Sequence, residues 1–182
     1  MFGWMHAGGV GQLADVGPGR LTGQKYVEML QDVLLPSVEA LLFPQEEPFY
    51  LVQDNSPIHT CRASQEWFGQ HPYITLLPHP PRSPDLNPIE HVWSAMNKYN
   101  TPIRGRHMTR NCVLTRALDA WEHLRGPEGC ELTSALVASM PRRLNAGIEA
   151  GGGYTLLTIK DLFMPFVLFL YFTHDCPNTH VS

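Results

Sequence analysis

Apolar positions follow two different periods along the chain, and this predicts a mixed α/β protein. Two short apolar runs, at residues 49–52 and 74–77, are typical of buried strands, and a helical pattern over about 58–69 lies between them. A strand, a helix and a second strand in this order predict a parallel βαβ unit. Apolar residues three or four apart predict further helices over 110–124 and 131–149.

The remaining segments are defined by their turn residues. Residues 1–17 predict a β-hairpin, because extended pieces are interrupted by glycines. Thr22 can cap a helix that Pro36 kinks or restarts. A proline-rich loop over 78–88 then leads into a helix that begins at Asn87.

Composition narrows the class of protein only slightly. The 182 residues are 43% hydrophobic and 16% charged, which suits one globular domain. A net charge of -4 gives no overall basic field, and this counts against a general nucleic-acid binder. The four cysteines lack zinc-site spacing. The apolar run over 162–172 contains Pro165 and is too short to cross a membrane, which takes roughly 20 residues, so no membrane is expected.

Two carboxylates stand where the predicted elements bring ligands together. Asp54 follows the first buried strand, and Glu90 lies in the first turn of the helix after the proline-rich loop. Both can face the carboxyl edge of the sheet, where α/β proteins collect ligands. Carboxylate oxygens suit Mg²⁺ or Mn²⁺, which can activate a hydroxyl in phosphoryl transfer. Another interpretation stays open: Asp54 caps a turn, and Glu90 completes a capping box with Asn87.

The amino-acid sequence around the two acids resembles that of a known family. Residues 53–60 read Gln-Asp-Asn-Ser-Pro-Ile-His-Thr, and residues 83–90 read Ser-Pro-Asp-Leu-Asn-Pro-Ile-Glu. Both segments resemble the DDE catalytic domain of Tc-like/mariner transposases, and the match extends upstream to Phe2-Gly3-Trp4. A motif of this length is specific.

The resemblance implies a fold, a chemistry and a partner. The fold is RNase H-like, with C-terminal helices, and the activity is metal-dependent DNA cleavage and strand transfer. Asp54 corresponds to the second catalytic acid and Glu90 to the third, both as ligands of Mg²⁺ or Mn²⁺. The implied partner is DNA at transposon ends, inside the cell or in the nucleus, and a homodimer is one assembly to test. His59, five residues after Asp54, matches the motif histidine, although local packing or capping is the favoured interpretation.

Three departures from the family pattern shape the expectation. The family's first acid lies on a strand upstream of the segment that matches Phe2-Gly3-Trp4, so we expect an incomplete RNase H-like sheet with an open central position and low stability. We also expect the family's helix-turn-helix modules to be missing. Third, residues from about Leu156 onward do not resemble the family, so residues 1–155 are assigned to the partial catalytic domain and 156–182 to an atypical tail.

These departures predict a truncated or decayed transposase segment, inactive by itself because a site of two carboxylates holds metal weakly. Whether it is an enzyme at all is left open. The alternative is a noncatalytic module, derived from a transposase, that binds protein or nucleic acid.

Overall fold

The computed structural model describes residues 1–42, 45–81, 83–99, 109–149 and 167–172. Five strands form one sheet: β1 (Phe2–His6), β2 (Gly9–Ala14), β3 (Phe49–Val52), β4 (Ile74–Leu77) and β5 (Val167–Phe172). Eight α-helices surround it: α1 (Gly23–Met29), α2 (Leu35–Leu41), α3 (Pro57–Thr60), α4 (Arg62–Gln70), α5 (Ile89–Tyr99), α6 (Arg110–Leu124), α7 (Pro127–Ala138) and α8 (Met140–Glu149). None of the helices in these ranges has the length and apolar character needed to cross a bilayer.

The sheet runs in the order β2-β1-β5-β3-β4. The predicted hairpin is confirmed, because β1 pairs with β2 in antiparallel register. The predicted βαβ unit is confirmed as well, since β3 and β4 run parallel with Leu51 beside Leu76. β5 pairs with both halves, parallel to β3 and antiparallel to β1. The result is the mixed α/β, RNase H-like architecture that the sequence predicts.

The centre of this sheet differs from the expectation. We expected an open position beside the Asp54 strand, with unpaired backbone groups on both sides. That expectation is wrong, because β5 occupies the position and bonds to β1 and to β3. Leu168, Phe169 and Leu170 have no solvent exposure. The boundary predicted at residues 155–156 lies outside the described residues, but 167–172 belong to the sheet.

Two apolar cores cover the two faces of the sheet. Alternation along β5 divides its side chains, since Phe169 joins one core and Leu168 and Leu170 join the other. The first core takes Val52 from β3 and the inner faces of α5 to α8; the second takes Leu51 and residues of α1, α2 and α4. β5 therefore packs on both sides, as a strand at the centre of a sheet must.

Tryptophans fix the hairpin between the helices. Trp4 is fully buried and donates from Nε1 to Ser37 Oγ at 2.8 Å. Gly11 is required here, because a Cβ at that position would lie 1.9 Å from the Trp4 ring. The Gly11 carbonyl accepts from Trp121 Nε1 of α6 at 2.9 Å. Both tryptophans are core residues, and they hold β1 and β2 against both helical layers.

Three predicted helices are interrupted. A π-helical turn over Leu30–Leu34 separates α1 from α2, just before Pro36, which has no backbone N–H to continue a regular ladder. The helix over 58–69 breaks at Cys61, and the helix over 131–149 is α7 followed by α8, which starts beside Pro141. The helical segments are as predicted, and two of the three interruptions lie beside prolines, Pro36 and Pro141.

Candidate active site

Asp54 stands at the carboxyl end of β3, where the chain leaves the sheet for α3. Its Oδ1 accepts the backbone N–H of Ser56 at 3.0 Å, and His59 Nδ1 lies 2.7 Å from the same oxygen. The side chain keeps 39% of its surface exposed. The recorded bonds to this carboxylate from described residues involve Oδ1, which leaves Oδ2 as the oxygen available to a ligand.

His59 connects Asp54 to the core. Its Nδ1 lies 3.0 Å from the Asp54 carbonyl oxygen as well as 2.7 Å from Oδ1, and both atoms are acceptors, so Nδ1 carries a proton. The ring is buried against Tyr26 at a centroid distance of 4.5 Å, and the Tyr26 hydroxyl bonds to Gln53 Oε1. Local packing of His59 was one of the two sequence interpretations. The structure shows that packing together with a direct contact to Asp54.

This contact sets the charge of Asp54. The hydrogen bond from His59 lowers the pKa of the Asp54 carboxyl below its ordinary value, and the Ser56 amide acts in the same direction. Partial burial opposes the shift but does not cancel it. Asp54 is therefore a carboxylate at neutral pH, the form that binds cations.

Glu90 lies in the first turn of α5, and it lines the same cleft as Asp54. The cleft has a volume of about 310 Å³ and is walled by the proline-rich loop, including Pro80, Pro81 and Pro84. The two acids that the sequence singled out thus face one cavity. Among the described residues that line it, they are the two acidic ones.

The proline-rich loop that precedes α5 is fixed by hydrogen bonds near both of its ends. Asn55 Nδ2 donates to the His79 carbonyl at 2.6 Å, where the loop leaves β4. Near its other end, Arg143 of α8 donates from Nη1 to the Asp85 carbonyl at 2.9 Å. Asp85 lies in a 3₁₀ turn over Pro84–Leu86. These bonds fix the position of α5 relative to β3.

The alternative interpretation holds at Asp54, whose Oδ1 caps a turn by accepting the Ser56 N–H, but the Asn87 side chain does not form its half of the capping box. In a capping box Asn87 would use its side-chain oxygen to accept an N–H of the first turn. Asn87 Oδ1 instead has no hydrogen-bond partner in the described part of the chain, although the residue is 1% exposed. Glu90 N bonds to the Asn87 backbone carbonyl at 3.2 Å. Capping therefore does not account for Asn87.

Two further residues of the cleft were missed as site residues. From the sequence, Asn87 is interpreted as part of a capping box, and His79 is given no role in a site. Both line the cleft, and His79 Nε2 is buried without a partner in the described ranges. Burial lowers the pKa of His79, which favours its neutral form. The available signal was their position in the proline-rich segment that leads to Glu90.

The donors in the cleft are mainly oxygens. Two carboxylates and one buried amide oxygen are a chemical set that hard divalent cations accept. No group of three or more His, Cys, Asp and Glu residues suited to a metal ion occurs within the described residues. The arrangement can bind a cation, orient a phosphate beside it and polarise a hydroxyl.

Comparisons with known proteins find a DDE endonuclease family model and transposases. A family model described as "DDE superfamily endonuclease" matches residues 12–107. The transposable element Tcb2 transposase of Caenorhabditis briggsae is 31% identical over 128 residues, 70% of this chain and 43% of that protein. The Tc1 transposase of Caenorhabditis elegans is 36% identical over 104 residues, 57% of this chain and 36% of that protein. The chain spans less than half the length of these two relatives.

A solved structure shows the same fold. The Mos1 transposase catalytic domain, crystallised with raltegravir and Mn, superposes with a TM-score of 0.69 at 22% identity. The superposition covers 84% of this chain and 75% of that domain. At this identity the likeness establishes the fold.

Proposed function

Because the chain belongs to the DDE superfamily endonuclease family, we propose that it carries part of a metal-dependent site for DNA cleavage and strand transfer, with Asp54 and Glu90 as the metal ligands. The observation that carries the proposal is the shared cleft. One acid ends a buried parallel strand, the other starts a helix, and both line a cavity at the carboxyl edge of the sheet.

The residues present fit a divalent cation. The Asp54 carboxyl is ionised at neutral pH, since the His59 hydrogen bond lowers its pKa, and Glu90 lines the same cleft with a second carboxyl group. A bound Mg²⁺ or Mn²⁺ would supply charge stabilisation to phosphoryl oxygens during the reaction. Asp54 and Glu90 would hold it, and His59 would keep Asp54 in a fixed orientation.

The substrate we propose is DNA, reached through the backbone phosphates. The relatives are transposases, and the resemblance implies transposon ends as the DNA. The chain as a whole is acidic, at a net charge of -4, so it offers no general electrostatic attraction to DNA. Engagement of DNA would then depend on the metal in the cleft and on local basic side chains. A nuclear or intracellular location is part of the proposal, and a homodimer stays a prediction.

Two carboxylates predict weak metal binding. Affinity for hard cations rises with the number of charged oxygen ligands. We therefore expect binding of Mn²⁺ by the 182-residue chain to be weak, and strand transfer by this chain alone to be absent or slow.

Metal binding by single variants tests this proposal. Titration of Mn²⁺ into the protein, followed by the electron paramagnetic resonance signal of free Mn²⁺, should show one site that Asp54→Asn and Glu90→Gln each abolish. Asp85→Asn is the matched control, because Asp85 is an exposed acid on the same loop and does not line the cleft. Nicking of supercoiled plasmid in Mn²⁺, where detected, should follow the same order. Equal binding by wild type and both site variants would exclude the proposed site.

A further inference from the structure

Asn87 has a buried amide oxygen that local structure does not use. The residue is 1% exposed and lines the cleft with Asp54 and Glu90. Its Oδ1 has no hydrogen-bond partner among the described residues. A buried polar atom without a partner costs stability, so such an atom in a cleft of acids suggests a ligand.

The other end of the amide is tied to the sheet. Asn87 Nδ2 donates to the carbonyl of Leu170 in β5 at 3.4 Å. This bond turns the nitrogen toward the sheet, and it leaves the oxygen as the end available to the cleft. The backbone fixes the residue as well, because the Asn87 carbonyl accepts from Glu90 N and the adjoining Leu86 and Ile89 are buried.

We propose that Asn87 Oδ1 is a third oxygen ligand for the cation bound by Asp54 and Glu90. The inference rests on the proposed function and adds a neutral donor to it. Amide oxygens are ordinary ligands of hard divalent cations, and they serve alongside carboxylates in mixed sites. Asn87 precedes Glu90 by three residues at the entry to α5, so the loop would deliver two of the three oxygens.

The assignment explains two features together. Helix capping fails to explain Asn87, since Oδ1 accepts no N–H in the described ranges. Packing alone would favour an apolar side chain here, because the residue is only 1% exposed. A bound cation would give Oδ1 of Asn87 a partner. The hydrogen bond from Nδ2 to the Leu170 carbonyl of β5 would then orient the amide toward the site.

Mn²⁺ binding to charge-changing variants of the 182-residue chain tests the inference. Asn87→Asp supplies a charged ligand in place of a neutral one, and we expect Mn²⁺ to bind about tenfold more tightly. Asn87→Ala removes the oxygen, and we expect binding about threefold weaker or more. The matched control is Asn55→Asp, which adds the same charge on the rim of the same cleft, where Asn55 donates to His79. This control should tighten binding by much less than Asn87→Asp.

Each result separates a ligand from the alternatives. Equal tightening by Asn87→Asp and Asn55→Asp would show a field effect and would overturn the assignment. Wild-type affinity in Asn87→Ala would overturn it too. If circular dichroism shows that Asn87→Asp does not fold, Asn87→Ala decides, because it introduces no buried charge. Retention of binding by Asp54→Asn would instead refute the proposed function, whatever Asn87 does.

Discussion

β3 and β5 lie side by side at the centre of the sheet, and they reach that position by different routes. β3 belongs to a contiguous βαβ unit, and its neighbour β4 follows after one helical segment. β5 comes from the far end of the chain and inserts between two halves that were built much earlier in the sequence. Both strands contain residues without solvent exposure, such as Leu51 and Leu168.

The two strands also support different parts of the cleft. β3 delivers Asp54 directly, and His59 behind it fixes the carboxylate. β5 contributes a backbone carbonyl, at Leu170, that orients Asn87. In the proposed site, β3 would supply a metal ligand, while β5 would supply the framework that orients another. The proposed site would therefore depend on β5 as well as on the motif around Asp54 and Glu90.

A charge placed in β5 should have the largest effect. Leu168→Asp buries a carboxylate between β1 and β3, and we expect a loss of more than about 4 kcal/mol in the free energy of unfolding. Thr75→Asp, at an exposed position of the edge strand β4, is the control and should change it by about 0.5 kcal/mol or less. Urea denaturation followed by circular dichroism measures both. Near-native stability of Leu168→Asp would mean that β5 does not lie in the sheet.

Truncation of matched leucines compares the two strands directly. Leu51→Ala and Leu168→Ala each remove a fully buried side chain from the same core, and each should cost about 2–5 kcal/mol. Equilibrium unfolding of both variants gives the two values under one set of conditions. A large cost at Leu51 with a negligible cost at Leu168 would break the equivalence of the two strands.

The β3 side of the cleft can be tested through His59. His59→Leu removes the donor to Asp54 Oδ1, and we expect Mn²⁺ to bind about tenfold more weakly, as for other outer partners of metal ligands. His59→Asn places an amide N–H near the position of Nδ1 and should restore part of that loss. Titration with Mn²⁺ measures both variants. His71→Leu is the control, since His71 Nδ1 bonds to the Trp67 carbonyl away from the cleft.

Acid stability should show the smallest effect. The hydrogen bond from His59 lowers the folded pKa of Asp54 below the ordinary 3.8, so the unfolded chain takes up this proton first as pH falls. The stabilisation is complete above about pH 5 and is lost as the pH falls through the folded pKa. Asp54→Asn should therefore show a shallower loss of stability between about pH 5 and pH 2 than wild type. Parallel slopes in urea denaturation would contradict the coupling.

The sequence predicted the elements better than their arrangement. The βαβ unit and the hairpin follow from local patterns, because each connects strands that are close in the chain. The run that contains β5 was visible as apolar, yet an apolar run does not state which strands it will join. Pairing of β5 with β1 and β3 is non-local, so the open central position was expected where the structure has a strand.

The residues of the candidate site were likewise predicted only in part. Asp54 and Glu90 follow from the strand end, the helix start and the motif around them, and both line the cleft. The role of Asn87 was obscured, because Asn before Pro at a helix start is also the ordinary signature of a cap. The orphaned Oδ1 and its tie to Leu170 depend on tertiary packing across the chain, which local sequence does not encode.

The most direct test of the central claim is a crystal structure of the protein soaked in Mn²⁺, with the ion located by its anomalous scattering. The account predicts an anomalous peak in the cleft within direct coordination distance of a carboxylate oxygen of Asp54 and one of Glu90. A peak that contacts neither acid, or a cleft without a peak at saturating Mn²⁺, would contradict it.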